Sequence, residues 1–352
     1  MIKASDFNII ALILFLCTIF CNIGPGAFRK IRPEWTIVLF LFVIISSVFS
    51  VVGADKFVYI RMFEDIFSGA ELGHDYGWTV WTKFCYKLFG GSSDLFFATT
   101  SLVYMAGFVA IGKMTCGRQY LWYFLTLSFL TLGFFSGLTN IIRSGFATSI
   151  CYIAYTQRKH YIIAVIMVLA AACVHMSVLL LVGAFVVTSF VKEEKLYVAI
   201  WIIFVILSWT NSLSEITDFI INNLGESDER VERYMNATDM TAGGTYLKTG
   251  FRIDFILYSA FPIFIGMYYI FKKRFNDSTY GQIFNIYLTL NSFWLLAIRM
   301  PYCERFALFS WNLLPTILLY PYFHHCQGVN KGLVIATMCV PVSVTVFLSL
   351  IR

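Results

Sequence analysis

Residues 161–191 read YIIAVIMVLAAACVHMSVLLLVGAFVVTSFV, and these 31 residues carry no charge other than a possible one on His175, near the middle. As one α-helix the stretch would be about 46 Å long, against a bilayer hydrocarbon core of roughly 30 Å. It is too long for one comfortable span and slightly short for two. A break or hairpin at His175-Met176-Ser177 resolves the mismatch; the alternative is one tilted span with a buried, hydrogen-bonded histidine.

The remaining chain favours the hairpin. Apolar runs suited to spans lie near 7–23, 35–52, 94–112, 119–135, 139–156, 196–213, 251–271, 280–298, 305–323 and 332–350. With 59 % hydrophobic and 13 % charged residues, the chain reads as all-α and polytopic in the membrane. The runs show no period-2 alternation, so they are helices and not barrel strands. The first run lacks a convincing small-residue cleavage site and is expected to be a retained span.

Short basic connections recur at Arg29-Lys30-Ile31-Arg32, Lys113 to Arg118, Arg158-Lys159, Lys192 to Lys195 and Lys272-Lys273-Arg274. The positive-inside rule places all of them in the cytoplasm only if 161–190 crosses twice. Of the 26 Lys/Arg and 20 Asp/Glu, that arrangement puts 13 and 4 inside and leaves 13 and 16 outside. The expectation is a single membrane domain over 1–352, with about 11–12 transmembrane passages and both termini outside. Two long segments, 53–94 and the acidic 214–250, become extracytoplasmic loops.

Under this topology the polar residues without a routine topological role gather on the outer side. Arg143 begins an apolar run, where an arginine costs on the order of 2.5–3.5 kcal/mol by insertion scales, less if it snorkels. If fixed, its guanidinium suits phosphate oxygens, which it binds bidentately. Arg299 and Arg305 flank a short outer turn in which Glu304 is a nearby counter-ion. In the first long loop Asp55 and Tyr59 share one helical face. Trp78, Trp81, Phe84, Cys85, Leu88 and Phe89 recur at helical spacing, with Lys83 and Lys87 between them, as in an amphipathic interfacial helix or one packed on the spans. Arg252 with Asp254, and Arg230 and Arg233 among Glu226, Asp228, Glu229 and Glu232, read first as local charge pairs.

Several chemistries find no support. There is no P-loop, Rossmann glycine pattern, HExxH, GxSxG or DxD pair. The nine cysteines lie mostly in apolar runs without CxxC spacing and read as packing residues. No cofactor, metal or nucleic-acid partner is expected, and arginines would carry the electrostatic work.

Three segments carry a family resemblance. Gly53-Ala54-Asp55 with Tyr59, then Ile142-Arg143-Ser144-Gly145-Phe146-Ala147, then His175-x-Ser177 resemble, in order, the VGTDY..Y, LR...A and H.S segments of the EpsG/Wzy group of polysaccharide polymerases. The likeness covers most of the chain by layout. It departs before the first segment, where an arginine is frequent and this chain has Ser46-Ser47-Val48-Phe49-Ser50.

The resemblance implies a GT-C-like membrane glycosyltransferase of the bacterial plasma (inner) membrane with its active site facing the periplasm. Its donor and acceptor would be oligosaccharide repeat units on undecaprenyl diphosphate, joined into O-antigen or exopolysaccharide with undecaprenyl diphosphate leaving. A chain-length regulator protein is the one protein partner it suggests, beside membrane lipid. The roles implied are diphosphate neutralisation by Arg143 with Arg299 or Arg305, and general base catalysis or diphosphate positioning by His175. Asp55 would be an alternative base or an orienter, and Tyr59, Arg61, Trp78 and Trp81 would contact sugar. A flippase of lipid-linked oligosaccharide and an O-antigen ligase are the rival readings. The flippase would show charges along a path through the midplane and internal repeats, neither of which the sequence shows. The ligase would use the same cation and base chemistry.

Overall fold

The computed structural model describes residues 2–20, 33–50, 54–65, 75–210, 212, 251–299, 303–324 and 331–350; the acidic segment 214–250 lies outside them. The elements among the described residues are helices, with no strands, and several of the helices are long and apolar enough to cross a membrane. In chain order they are α1 (Ala4–Phe20), α2 (Thr36–Phe49), α3 (Ala54–Asp65), α4 (Tyr76–Phe89), α5 (Ser93–Cys116), α6 (Leu121–Phe129), α7 (Leu132–Thr139) and α8 (Ile142–Thr156). There follow α9 (Tyr161–Val174), α10 (Val178–Phe190), α11 (Glu194–Trp209), α12 (Ile253–Met267), α13 (Ser278–Leu296), α14 (Glu304–Trp311), α15 (Leu314–His324) and α16 (Lys331–Leu350).

The long apolar stretch breaks at His175, whose backbone is extended (φ −161°, ψ 116°) between α9 and α10. The 14 residues of α9 and 13 of α10 are each about 20 Å long, shorter than a 30 Å core. α10 folds back toward the start of α9. Its Phe185 ring meets Tyr155, near the end of α8, at 5.7 Å, and Ser189 accepts from Gln282, which in turn accepts from Tyr155.

Contacts between helix ends sort the connections onto two sides. At one end Arg158 donates to Thr279 Oγ1 (3.1 Å), Asn285 to the Lys192 carbonyl (3.3 Å), and His324 Nε2 lies 3.1 Å from the Thr115 carbonyl. The basic connections at 113–118, 158–159, 192–195 and 272–274 therefore share one end of the bundle. At the other end Ile2 N–H donates to Phe49 O (2.7 Å), and Arg299 donates to the carbonyl of Ser208 (3.2 Å).

One apolar run departs from the straight span expected over 119–135. α6 and α7 meet at an 81° bend at Leu130-Thr131. Hydroxyls loosen the ladder just before it: Thr126, Ser128 and Thr131 all donate back to carbonyls three or four residues earlier, a bond that bends helices. The freed N–H of Leu132 is taken up by the Tyr258 hydroxyl (3.3 Å).

Close packing holds α8 in the middle of the bundle. A Cβ on Gly107 of α5 would lie 2.5 Å from the Cα of Ser149, so the two helices touch backbone to backbone, as small residues permit in membranes. Ser149 Oγ seals the contact by donating to Tyr104 O (2.7 Å). At the end that carries His175, Lys56 of α3 is 3 % exposed and donates to the carbonyls of Ser47 and Val48 (both 2.9 Å) and to Ser50. A cation on terminal carbonyls suits the negative end of the α2 dipole. Burial pushes this ammonium below the ordinary lysine value, and the charge of Asp94 pulls it back up. The bond ties α3 to α2 one turn before Tyr59.

Candidate functional site

Three distant parts of the chain converge beside the break. Arg143 is the second residue of α8, and Asp75 is the N-cap of α4. His175 ends α9. Arg143 Nη1 donates to Asp75 Oδ2 (3.3 Å), and His175 Nδ1 lies 3.2 Å from the same oxygen. A carboxylate oxygen accepts, so Nδ1 carries the hydrogen and Nε2 is left as the open nitrogen. Arg143 Nε donates to the Tyr59 hydroxyl (3.3 Å). The side chains of Arg143, Asp75 and His175 are 15–20 % exposed, so the cluster is sheltered yet open to a ligand.

Local sequence explains each placement. Aspartate is a favoured N-cap because its carboxylate bonds the free N–H groups of the first turn. Here Asp75 makes no such side-chain bond, and its Oδ2 turns to Arg143 and His175 instead. The approach of α4 to α9 depends on Gly77. A Cβ there would lie 2.7–2.8 Å from the backbone of Cys173 and Val174, immediately before His175. Glycine lets the start of α4 press on the end of α9, which carries Asp75 to the histidine. Tyr59 is held from beneath by Trp78, whose ring it meets at 5.6 Å.

Electrostatics follow from the inventory. A guanidinium has five N–H donors, and Arg143 uses two of them on Tyr59 and Asp75. The others remain for an anionic ligand. The α4 N-terminus adds a partial positive charge at the same place. The cluster thus joins a fixed cation, a carboxylate and an imidazole oriented by that carboxylate, the parts needed to stabilise a departing anion and take up a proton.

Other residues singled out in the sequence lie elsewhere. Arg299 donates to the carbonyls of Ser208 (3.2 Å) and Trp209 (3.3 Å), and its guanidinium stands 5.5 Å from the Phe251 ring. It closes the end of α11. Arg305 is half-buried on the first turn of α14, and Arg61 is exposed on α3. Asp55 is the second residue of α3, but its side chain lies outside the described residues. Trp78 is 0 % exposed, packed edge-on against Phe96 and Phe146 as well as Tyr59, and it presents no open face. Trp81 is half-buried, meets the Phe146 ring at a tilt (4.9 Å) and donates to Thr100 (3.1 Å).

A model of the EpsG family matches residues 34–352. The chain belongs to the EpsG family. This is the family of Wzy-type polysaccharide polymerases. Neither the curated proteins nor the solved structures contain a match to the chain. The match to EpsG spans the three segments around Asp55, Arg143 and His175, and two of these, with Tyr59 from the first, meet in the cluster. Asp75 belongs to none of them. The available signal was an aspartate at the N-cap position of the Trp78/Trp81 helix, with a small residue two places on.

Proposed function

We propose that this protein is a membrane polysaccharide polymerase acting on lipid-diphosphate-linked oligosaccharide repeat units at the outer face of the plasma membrane. The observation that carries the reading is the convergence of Arg143 and His175 on one oxygen of Asp75, in a member of the EpsG family.

In the reaction proposed, a sugar hydroxyl of the acceptor unit attacks the anomeric carbon of the donor. His175 Nε2 takes the hydroxyl proton as the new C–O bond forms. The bond from the anomeric carbon to the lipid diphosphate breaks, and its electron pair leaves on the diphosphate oxygen. The unused N–H groups of Arg143 and the α4 N-terminus receive that charge. Asp75 holds the imidazole with Nδ1 protonated, so that Nε2 faces the acceptor. Tyr59 fixes the guanidinium from its other side. In this scheme undecaprenyl diphosphate is the leaving group and the arginine does the work a metal would otherwise do. The basic end, with its short loops, is the cytoplasmic side by the positive-inside rule, which puts the cluster outside.

The test is polymer laddering in cells lacking the native protein, complemented with wild type, Arg143→Ala or His175→Ala at matched membrane levels. Restoration of long glycan by wild type, with single repeat units from both variants, is the expected result. Export of single units without a ladder from wild type would replace polymerisation by transport. Normal ladders from both variants would remove the cluster from the chemistry.

A further inference from the structure

An open cleft lies at the basic end, between α8, the two arms of the α9–α10 pair and α13. Its walls are almost entirely apolar, with Val168 of α9, Val182 and Phe185 of α10 and Ile286 of α13 among them. Arg158, Tyr152 and Tyr155 bring polar groups to the lining, and the Tyr155 hydroxyl donates to Gln282. Arg158 stands at the basic end of the cleft, and the Tyr152 hydroxyl is buried without a hydrogen-bond partner among the described residues.

We infer that this cleft binds an anionic phospholipid of the leaflet at the basic end, its acyl chain among the apolar side chains and its phosphate at Arg158. The apolar lining suits a hydrocarbon chain, and the exposed α9 face (Ile162, Ile166, Leu169) brings lipid to its side. Arg158 bonds Tyr155 O, Met114 Sδ and Thr279 Oγ1, and stacks on the Tyr155 ring. Those contacts hold its guanidinium in place and leave two of five N–H groups for a phosphate. Exposed Lys159, Lys192 and Lys195 surround the same end, and basic pockets between membrane helices on the cytoplasmic side recruit anionic headgroups. The nearby acids are engaged or outnumbered. Asp277 Oδ1 accepts from Thr279, Tyr280 and Tyr320, and Glu194 lies against Gly281, with Glu193 exposed beside it.

Arg158 separates this occupant from the isoprenoid chain of a lipid-linked sugar. An isoprenoid tail reaching down from the Asp75 cluster has no anionic group for Arg158. The inference is independent of the polymerase reading, since it rests on neither the family nor the cluster.

The experiment uses the full chain purified in mild detergent, with native mass spectrometry for retained lipid. Thermal unfolding follows in nanodiscs of dioleoylphosphatidylglycerol or of dioleoylphosphatidylcholine. Wild type should retain an anionic phospholipid and unfold at higher temperature in phosphatidylglycerol. Arg158→Gln should weaken phosphatidylglycerol binding by about fivefold, the worth of one surface cation. Val182→Trp, which fills the cleft, should abolish retention; Ala164→Phe does the same from the opposite wall if the tryptophan variant misfolds. Equal stability in the two lipids, a retained isoprenoid lipid that Val182→Trp displaces, or variants that bind like wild type would each overturn the inference.

Discussion

Asp75→Asn separates the chemistry of the cluster from its contribution to folding. The substitution preserves shape but removes the charge on the oxygen that Arg143 and His175 share at 3.3 and 3.2 Å. For stability the loss is small. The three side chains keep 15–20 % of their surface exposed, and pairs that reach solvent contribute only about 0–1 kcal/mol. For catalysis it is large. The asparagine amide can present its own N–H to Nδ1, which favours the tautomer protonated at Nε2 and disables that nitrogen as a base. General-base and orienting roles of this kind are worth about 10²–10⁴-fold, or roughly 3–5 kcal/mol of barrier. The assay is glycan extension by the full chain in proteoliposomes supplied with lipid-diphosphate-linked repeat units, alongside thermal unfolding. The expected result is a rate loss of at least about 10²-fold with nearly unchanged unfolding temperature. The same substitution placed on His175→Asn should cost little more, because groups acting as a unit are not additive. Activity within a few-fold of wild type, or a full second loss in the His175→Asn background, would refute the orienting role.

Three further outcomes follow from the packing. Gly77→Ala should push α4 from the Cys173–Val174 backbone, lowering stability by about 1–3 kcal/mol and abolishing extension, measured by unfolding and by the glycan assay. Trp78→Ala should lower stability by about 3–5 kcal/mol, as for a buried aromatic, whereas a tryptophan whose only task is sugar contact would leave unfolding unchanged. In a cysteine-free background, Met176→Cys at the exposed turn should react with an impermeant maleimide from outside intact spheroplasts. Lys159→Cys should react only after permeabilisation; labelling of both from one side would remove the hairpin topology.

The main lines of the fold are carried by local pattern. A run too long for one span must break, and His175, the one side chain in it that can carry a positive charge, marks where. Basic connections at the correct intervals place helix ends, because the cost of moving lysine and arginine across a bilayer does not depend on tertiary detail. The α6–α7 bend escapes the same reading. Hydropathy sees Thr126, Ser128 and Thr131 as minor interruptions in an apolar run, while the structure spends their hydroxyls on the helix ladder and takes the loosened N–H to Tyr258, 126 residues away. Trp78 and Trp81 are likewise legible as one face of a helix, but spacing does not say which neighbour that face covers.

The cluster divides along the same line. An arginine in an apolar run states a need: its charge must be matched or brought to water, so Arg143 stands out from sequence alone. Nothing local states where the match comes from. Asp75 lies 68 residues before Arg143 and 100 before His175. In its own neighbourhood it reads as a helix cap, the commonest use of an aspartate in that position. Two features settle its use in the other direction. Its side chain leaves its own helix uncapped, and Gly77 has no Cβ where any other residue would hold α4 away from α9. A stability argument explains neither, since a capped helix and a looser contact would both be easier to build. Together they bring one carboxylate oxygen to two groups that gain most from sharing it.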